Sequence, residues 1–210
     1  MQYPSYARVV AVSRRNITAD ITLRDWLEID IHPQGTGTIL YILMNPSKAD
    51  EVFCDDTVKK LLDFTRQQTN MRNSPIPNVQ KVMIVNLFPF YKTESSKLYK
   101  VLQELQGNPQ EYEFLLKHNM QQIHTAIQQA DYIVFGWGDP PKNVDEWFHR
   151  NITSEILHHV RLLEKKDTFV FTCTRPETLT KKKHPRHPII IKLTGLERCE
   201  VQPIYVVNPI

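Results

Sequence analysis

Four strand-length apolar runs constrain this chain more than any other feature: TILYILM (38–44), KVMIVNLFPF (81–90), DYIVFGWGD (131–139) and DTFVFTCT (167–174). None alternates polar with apolar, so each is expected to be buried on both faces, as strands of a helix-covered parallel sheet are. Helical patterns fall between them. DDTVKKLLDFTRQQT (55–69) sets Val58, Leu61, Leu62 and Phe64 near helical spacing behind the acidic N-cap candidates Asp55 and Asp56. Residues 94–106, 109–130 and 143–166 also read as helices. ARVVAVSRR (7–15) and ITLRDWLEID (21–30) look like short strands, and 70–80 like a loop. After the fourth run come the basic loop PETLTKKKHPRHP, then IIIKLT and a tail. Strands alternating with helices predict an α/β fold, three-layered α/β/α with a central, mostly parallel sheet, in a single domain over 1–210.

Composition narrows the class. With 41% hydrophobic and 23% charged residues, the chain resembles neither a disordered, a fibrous nor a membrane protein. No run approaches the length of a membrane span, and MQYPSYARVVAVSRR lacks a signal-peptide core, so a cytoplasmic protein without a membrane partner is expected. Cys54, Cys173 and Cys199 are odd in number and far apart, which favours free thiols over disulfides or a metal finger. A net charge of +3 permits a polyanionic partner without demanding one.

In open α/β sheets ligands bind outside the carboxyl ends of the strands, so those ends carry the functional reading. The first run stops at Asn45-Pro46-Ser47, with Asp50, Asp55 and Asp56 close behind; the second ends at Asn86, the third at Gly136-Trp137-Gly138. An asparagine donates and accepts, so it can orient a water or read an amide-like edge. Taken singly, each feature also suits a turn or a helix cap. In KKKHPRHP, Lys181, Lys182, Lys183 and Arg186 surround His184 and His187. Such a loop is either a solvated surface or a set of phosphate contacts with a histidine donor. His158-His159 has no H-E-x-x-H spacing, and no P-loop, G-x-G-x-x-G or G-x-S-x-G occurs. No metal and no cofactor are expected.

The stretches ILMNPSKADEVFCDDTVKK, VMIVNLFPFYKT, YIVFGWGD and HPRHPIII resemble, in that order and over about residues 7–192, domain of unknown function 1643. The chain departs from that family's pattern in lacking a proline between Asp56 and Thr57, in its longer 70–80 loop and in the lysines before His184. A more distant resemblance is to the uracil-DNA glycosylase superfamily. It rests on the order strand–Asn-Pro, strand–Asn, strand–Trp-Gly and His-Pro loop, although the glycine lead-in before Asn45 is replaced by Leu43-Met44. That resemblance implies a water held by Asn45, a base edge read by Asn86 and a base carbonyl faced by His187 or His184. Phe88 or Phe90 would stack on the base, and Lys181, Lys182, Lys183 and Arg186 would touch phosphates. The candidate catalytic set is then Asn45, Asp50 and His187. Pro46, Ser47, Asp55, Asp56, Asn86, Phe88, Trp137 and His184 are candidate substrate contacts. DNA or a nucleotide is the expected partner, and hydrolysis of an N-glycosidic bond the expected chemistry. Two other readings stay open: an inactive relative that binds nucleic acid in phage defence, counter-defence or DNA modification, and a protein-interaction module.

Overall fold

The computed structural model describes residues 1–18, 21–32, 34–91 and 98–210. Along the chain run β1 (Arg8–Asn16), β2 (Thr22–Asp30), β3 (Gly37–Leu43), α1 (Asp56–Thr69), β4 (Val79–Asn86), α2 (Leu98–Gln106), α3 (Pro109–Gln129) and β5 (Tyr132–Phe135). They are followed by α4 (Glu146–Leu162), β6 (Thr168–Cys173), a short 3-10 turn (Pro188–Ile190), β7 (Leu193–Val201) and β8 (Val207–Pro209). The strands form one sheet in the order β1-β2-β4-β3-β5-β6-β7-β8.

The fold is α/β, but the expected mostly parallel sheet is not what forms. Only the central pairings, β4 with β3, β3 with β5 and β5 with β6, are parallel. The four flanking pairings are antiparallel. The division follows the connections. Parallel pairing needs a crossover, and β3, β4 and β5 are each followed by one or two helices that return the chain to the same edge. β1 and β2, like β7 and β8, are joined by short links that reverse direction instead. The tail expected after IIIKLT is thus two strands, with residues 188–190 as a 3-10 turn ahead of them. The helix expected from residue 94 is described from Leu98 on; 94–97 lie outside the described residues.

The central strands are apolar throughout because both faces are covered. Leu40, Ile42, Met83, Val85, Ile133, Phe135 and Val170 pack with α2, α3 and α4. Ile39, Tyr41, Leu43, Ile84, Val134, Phe169 and Phe171 pack with α1. α1 begins where the acidic pair predicts: Asp55 is the N-cap, its Oδ1 accepting from the Val58 N–H at 3.0 Å. Asp145 caps α4 in the same way, 2.8 Å from the Phe148 N–H. Among the described residues no helix is long and apolar enough to cross a membrane, and no cluster of metal-ligating side chains occurs. All three cysteines are free.

Candidate functional site

Because β3, β4 and β5 run parallel, their carboxyl ends emerge side by side. The ladder continues past the strands: the Leu87 and Phe88 N–H groups donate to the Leu43 and Met44 carbonyls at 2.8 and 3.0 Å, and the Gly136 N–H to Ile42 at 3.0 Å. This fixes the backbone at Asn45, Asn86 and Trp137. Gly136 admits no side chain, since a Cβ there would meet the Phe171 ring at 2.7 Å. Gly138 has φ +77°, a conformation that favours glycine, and its N–H donates to the Pro185 carbonyl at 2.8 Å. That bond brings the His-Pro loop against the end of β5.

These ends enclose a cavity of about 550 Å³, within the range of small-molecule sites. Asn45, Pro46, Ser47, Asp55 and Asp56 line it from the α1 side. Asn86, Trp137 and His187 line it too, with Arg24, Lys48, Asp139, Thr180, Ile189 and Ile190. The wall after β3 is stiffly held. Asp55 binds the Ala49 N–H (2.9 Å) as well as capping α1, and Tyr91 donates its hydroxyl to the Lys48 carbonyl at 2.9 Å.

His187 is placed by its own turn. Its Nδ1 accepts from the Ile189 N–H at 3.4 Å, and Lys60 of α1 donates to the carbonyls of Pro188 and Ile191. Burial, helped by the Lys60 charge, lowers the His187 pKa to about 4, so the ring is neutral at ordinary pH. With Nδ1 accepting, a neutral ring carries its proton on Nε2 and is a donor there.

The floor is formed by Asn86, Trp137 and Arg24. Asn86 is almost fully buried, and its backbone is pinned by Asn119 of α3, whose Nδ2 donates to the Asn86 and Leu87 carbonyls at 3.0 Å each. Arg24, 1% exposed, donates from Nη1 to the Ala49 carbonyl (2.8 Å) and from Nη2 to Asn86 Oδ1 (3.4 Å). Burial lowers its pKa to about 10, so it stays charged. Arg24 is the residue sequence reasoning missed. Its only signal was a charged side chain inside ITLRDWLEID, a segment read simply as a short strand.

Other sequence candidates stand elsewhere. Asp50 does not line the cavity: its Oδ1 accepts from the Val52 and Phe53 N–H groups at 2.9 and 2.7 Å, and its carbonyl from the Tyr3 hydroxyl. Burial pushes its pKa up, but those N–H groups and Arg14 leave it below the ordinary carboxylate value. Phe88 is fully buried in the core, its ring 5.8 Å from that of Phe148, and so offers no face to a base in the cavity. Phe90 is likewise in the core. His184 packs edge-on to His149 of α4 at 5.0 Å and does not line the cavity. Lys181, Lys182 and Lys183 are exposed outside the cavity, Lys182 3.1 Å from Glu146. Arg186 is turned inward: it is 8% exposed and its Nε donates to the Glu177 carbonyl at 3.0 Å.

Fold and cavity together define a mixed-sheet α/β protein with a ligand-sized site at the carboxyl ends of its parallel strands. The family described as Protein of unknown function (DUF1643) matches residues 23–189, and the chain belongs to that family. No curated protein and no solved structure matches it.

Proposed function

We propose that the cavity binds a nucleobase, in a nucleotide or in DNA, in an arrangement like that of the uracil-DNA glycosylases, and that the protein hydrolyses the N-glycosidic bond. One observation carries the reading: the strand-end Asn45 and Asn86 and a neutral His187 line a single cavity of about 550 Å³. Departure of a base needs stabilisation of the electron pair it takes with it more than a strong nucleophile. In the proposed step the C1′–N bond breaks, the pair leaves on the base, and a donor such as His187 Nε2–H meets the charge at a base oxygen. Water oriented by Asn45 adds to C1′ and gives its proton to the base or to solvent. A neutral asparagine suffices for that orientation. The exposed apolar side chains of Ile189 and Ile190 at the mouth, 44% and 68% exposed, suit a surface that receives an unstacked nucleotide.

Incubation with oligonucleotides carrying uracil, hypoxanthine or hypermodified bases should yield abasic sites, scored by alkaline strand cleavage. Asn45→Ala and His187→Ala should each abolish release, with the fold kept. If no substrate yields abasic product while Asn86→Ala still loses affinity for the same oligonucleotides, the protein is a binding module. If Asn86→Ala changes nothing either, the nucleobase reading is wrong.

A further inference from the structure

The cavity floor is unusual in what it leaves unpaired. Among the described residues Arg24 Nε, Asn86 Nδ2 and Trp137 Nε1 are buried and have no hydrogen-bond partner. All three residues line the same cavity. An unsatisfied buried donor is costly, and a charged one more so, unless something arrives to accept from it. Every one of these groups is a donor. Guanidinium and indole N–H have no acceptor capacity at all.

The orientation of the Asn86 amide follows from Arg24. A guanidinium cannot accept, so the Asn86 atom 3.4 Å from Arg24 Nη2 is Oδ1, and Nδ2 points elsewhere. Arg24 makes no ion pair among the described residues, although the Asp55 carboxylate acts on its charge. Ala49 stands between the two, its carbonyl accepting from Arg24 and its N–H donating to Asp55. A fixed positive charge with a spare N–H therefore sits beside an amide turned to donate. An amide free to read a base edge would offer one donor and one acceptor; here the acceptor is already engaged.

We infer that Arg24 is a specificity-determining residue: by holding the Asn86 amide it makes the floor a surface of donors, selecting a ligand whose buried edge consists of oxygen acceptors with partial or full negative charge. This rests on the cavity being the ligand site, not on base release. Such oxygens come from two sources, the carbonyls of an oxo-substituted base or a phosphate. An amino-bearing edge would bring a donor against donors and leave the floor unpaired, and sites of that kind discriminate strongly.

Bromide is the probe for the floor itself. In crystals grown in sodium bromide, anomalous scattering should place an ion within hydrogen-bond reach of at least two of the donors on Arg24, Asn86 and Trp137. It should be lost in Arg24→Met, which fills similar volume without the charge and should fold, as checked by a thermal melt. In solution, inosine against adenosine and uridine against cytidine should bind with about a tenfold or greater preference for the oxo member, falling below about threefold in Arg24→Met. Repeating each titration with the 5′-monophosphate separates the sources. A preference already present in nucleosides seats the base carbonyl on the floor. Binding that needs the phosphate, ignores the base and is lost in Arg24→Met seats the phosphate there. No bromide at the floor, or bromide unchanged in Arg24→Met, overturns the inference. So does binding of nucleosides and nucleotides that is indifferent to oxygen, phosphate and Arg24 alike. If bromide behaves as expected but no nucleoside, nucleotide or oligonucleotide binds, the donor floor stands and the nucleobase reading falls.

Discussion

Arg24 and Asp25 are neighbours on β2, each 1% exposed and oppositely charged, and the protein treats them in opposite ways. The β1–β2 register shifts here: Ser13 faces Trp26 and Arg14 faces Arg24, leaving Asp25 without a β1 partner. Bulges of this kind re-aim successive side chains. Asp25 is fully engaged: Arg15 donates to both its oxygens at 3.2 and 3.3 Å, Ser13 at 3.1 Å, and His118 of α3 lies 3.7 Å away. Arg24 lies on the cavity floor with a carbonyl, one amide oxygen and an N–H left over. A buried charge matched within the chain is architecture. One left partly unmatched beside a cavity is a place for a ligand.

The largest test of that contrast is to remove each charge in turn. Asp25→Ala strands Arg15 against a buried hole and should lower unfolding free energy by about 2–4 kcal/mol, seen as a reduced urea midpoint, with ligand affinity of the folded protein unchanged. Arg24→Met should change stability by no more than about 1 kcal/mol, in either direction, while losing the bromide site and most of the preference for oxo-substituted nucleosides. A stable Asp25→Ala, or an Arg24→Met that unfolds, would erase the distinction.

Acid provides the next effect, again through buried polar groups without partners. His149 of α4 is fully buried, and neither ring nitrogen has a hydrogen bond. Burial, and then the nearby His184, lowers its pKa from 6.5 to about 4. The unfolded chain therefore takes up this proton at a pH where the folded one does not. Stability is full above about pH 6.5 and drains away toward about pH 4, by about 3 kcal/mol for this residue alone. His184, whose pKa burial also lowers, acts in the same direction. His149→Phe should flatten the decline measured by urea unfolding between about pH 7 and about pH 4.5. An unchanged slope would mean that the decline has another source. Ligand binding should show no step near pH 6.5 from His187, which is already neutral there.

How far all this was legible depends on where the information lies. Continuous apolar runs encode burial on both faces, so the central strands and their polar ends could be read directly. Asp55 was legible because an acidic residue ahead of a helical stripe has a local job, which it performs here as N-cap. Strand direction in the flanks was not legible. LTGLERCEV in β7 has no simple alternation from which its antiparallel pairing with β6 and β8 could be read. Proximity in sequence misled at Asp50, Phe88 and Arg186, each beside residues lining the cavity but held by its own contacts. Arg24 was invisible for the converse reason: it is some twenty residues from the nearest strand-end motif, and its burial and unpaired nitrogen exist only once β2 lies against β4.

The smallest expected effect concerns the loop that looked most like a nucleic-acid contact. Lys181, Lys182 and Lys183 are solvent-exposed, and the Lys182–Glu146 pair has side chains 53% and 58% exposed. Pairs that open to water contribute little, about 0–1 kcal/mol, so reversing the three charges should leave stability almost unchanged. If these lysines touch phosphates, reversal should weaken oligonucleotide binding and reduce the slope of log affinity against log salt by up to about three. Arg186 should behave in the opposite manner despite its place in the same run. It is buried and bonded to the Glu177 carbonyl, so Arg186→Met should loosen the loop around His187 and leave the salt slope intact. Were Arg186→Met to flatten the slope while the triple lysine reversal did not, the polyanion contact would lie on the inner side of the loop. The matched-versus-unmatched distinction drawn at Arg24 and Asp25 would then fail at the second buried arginine.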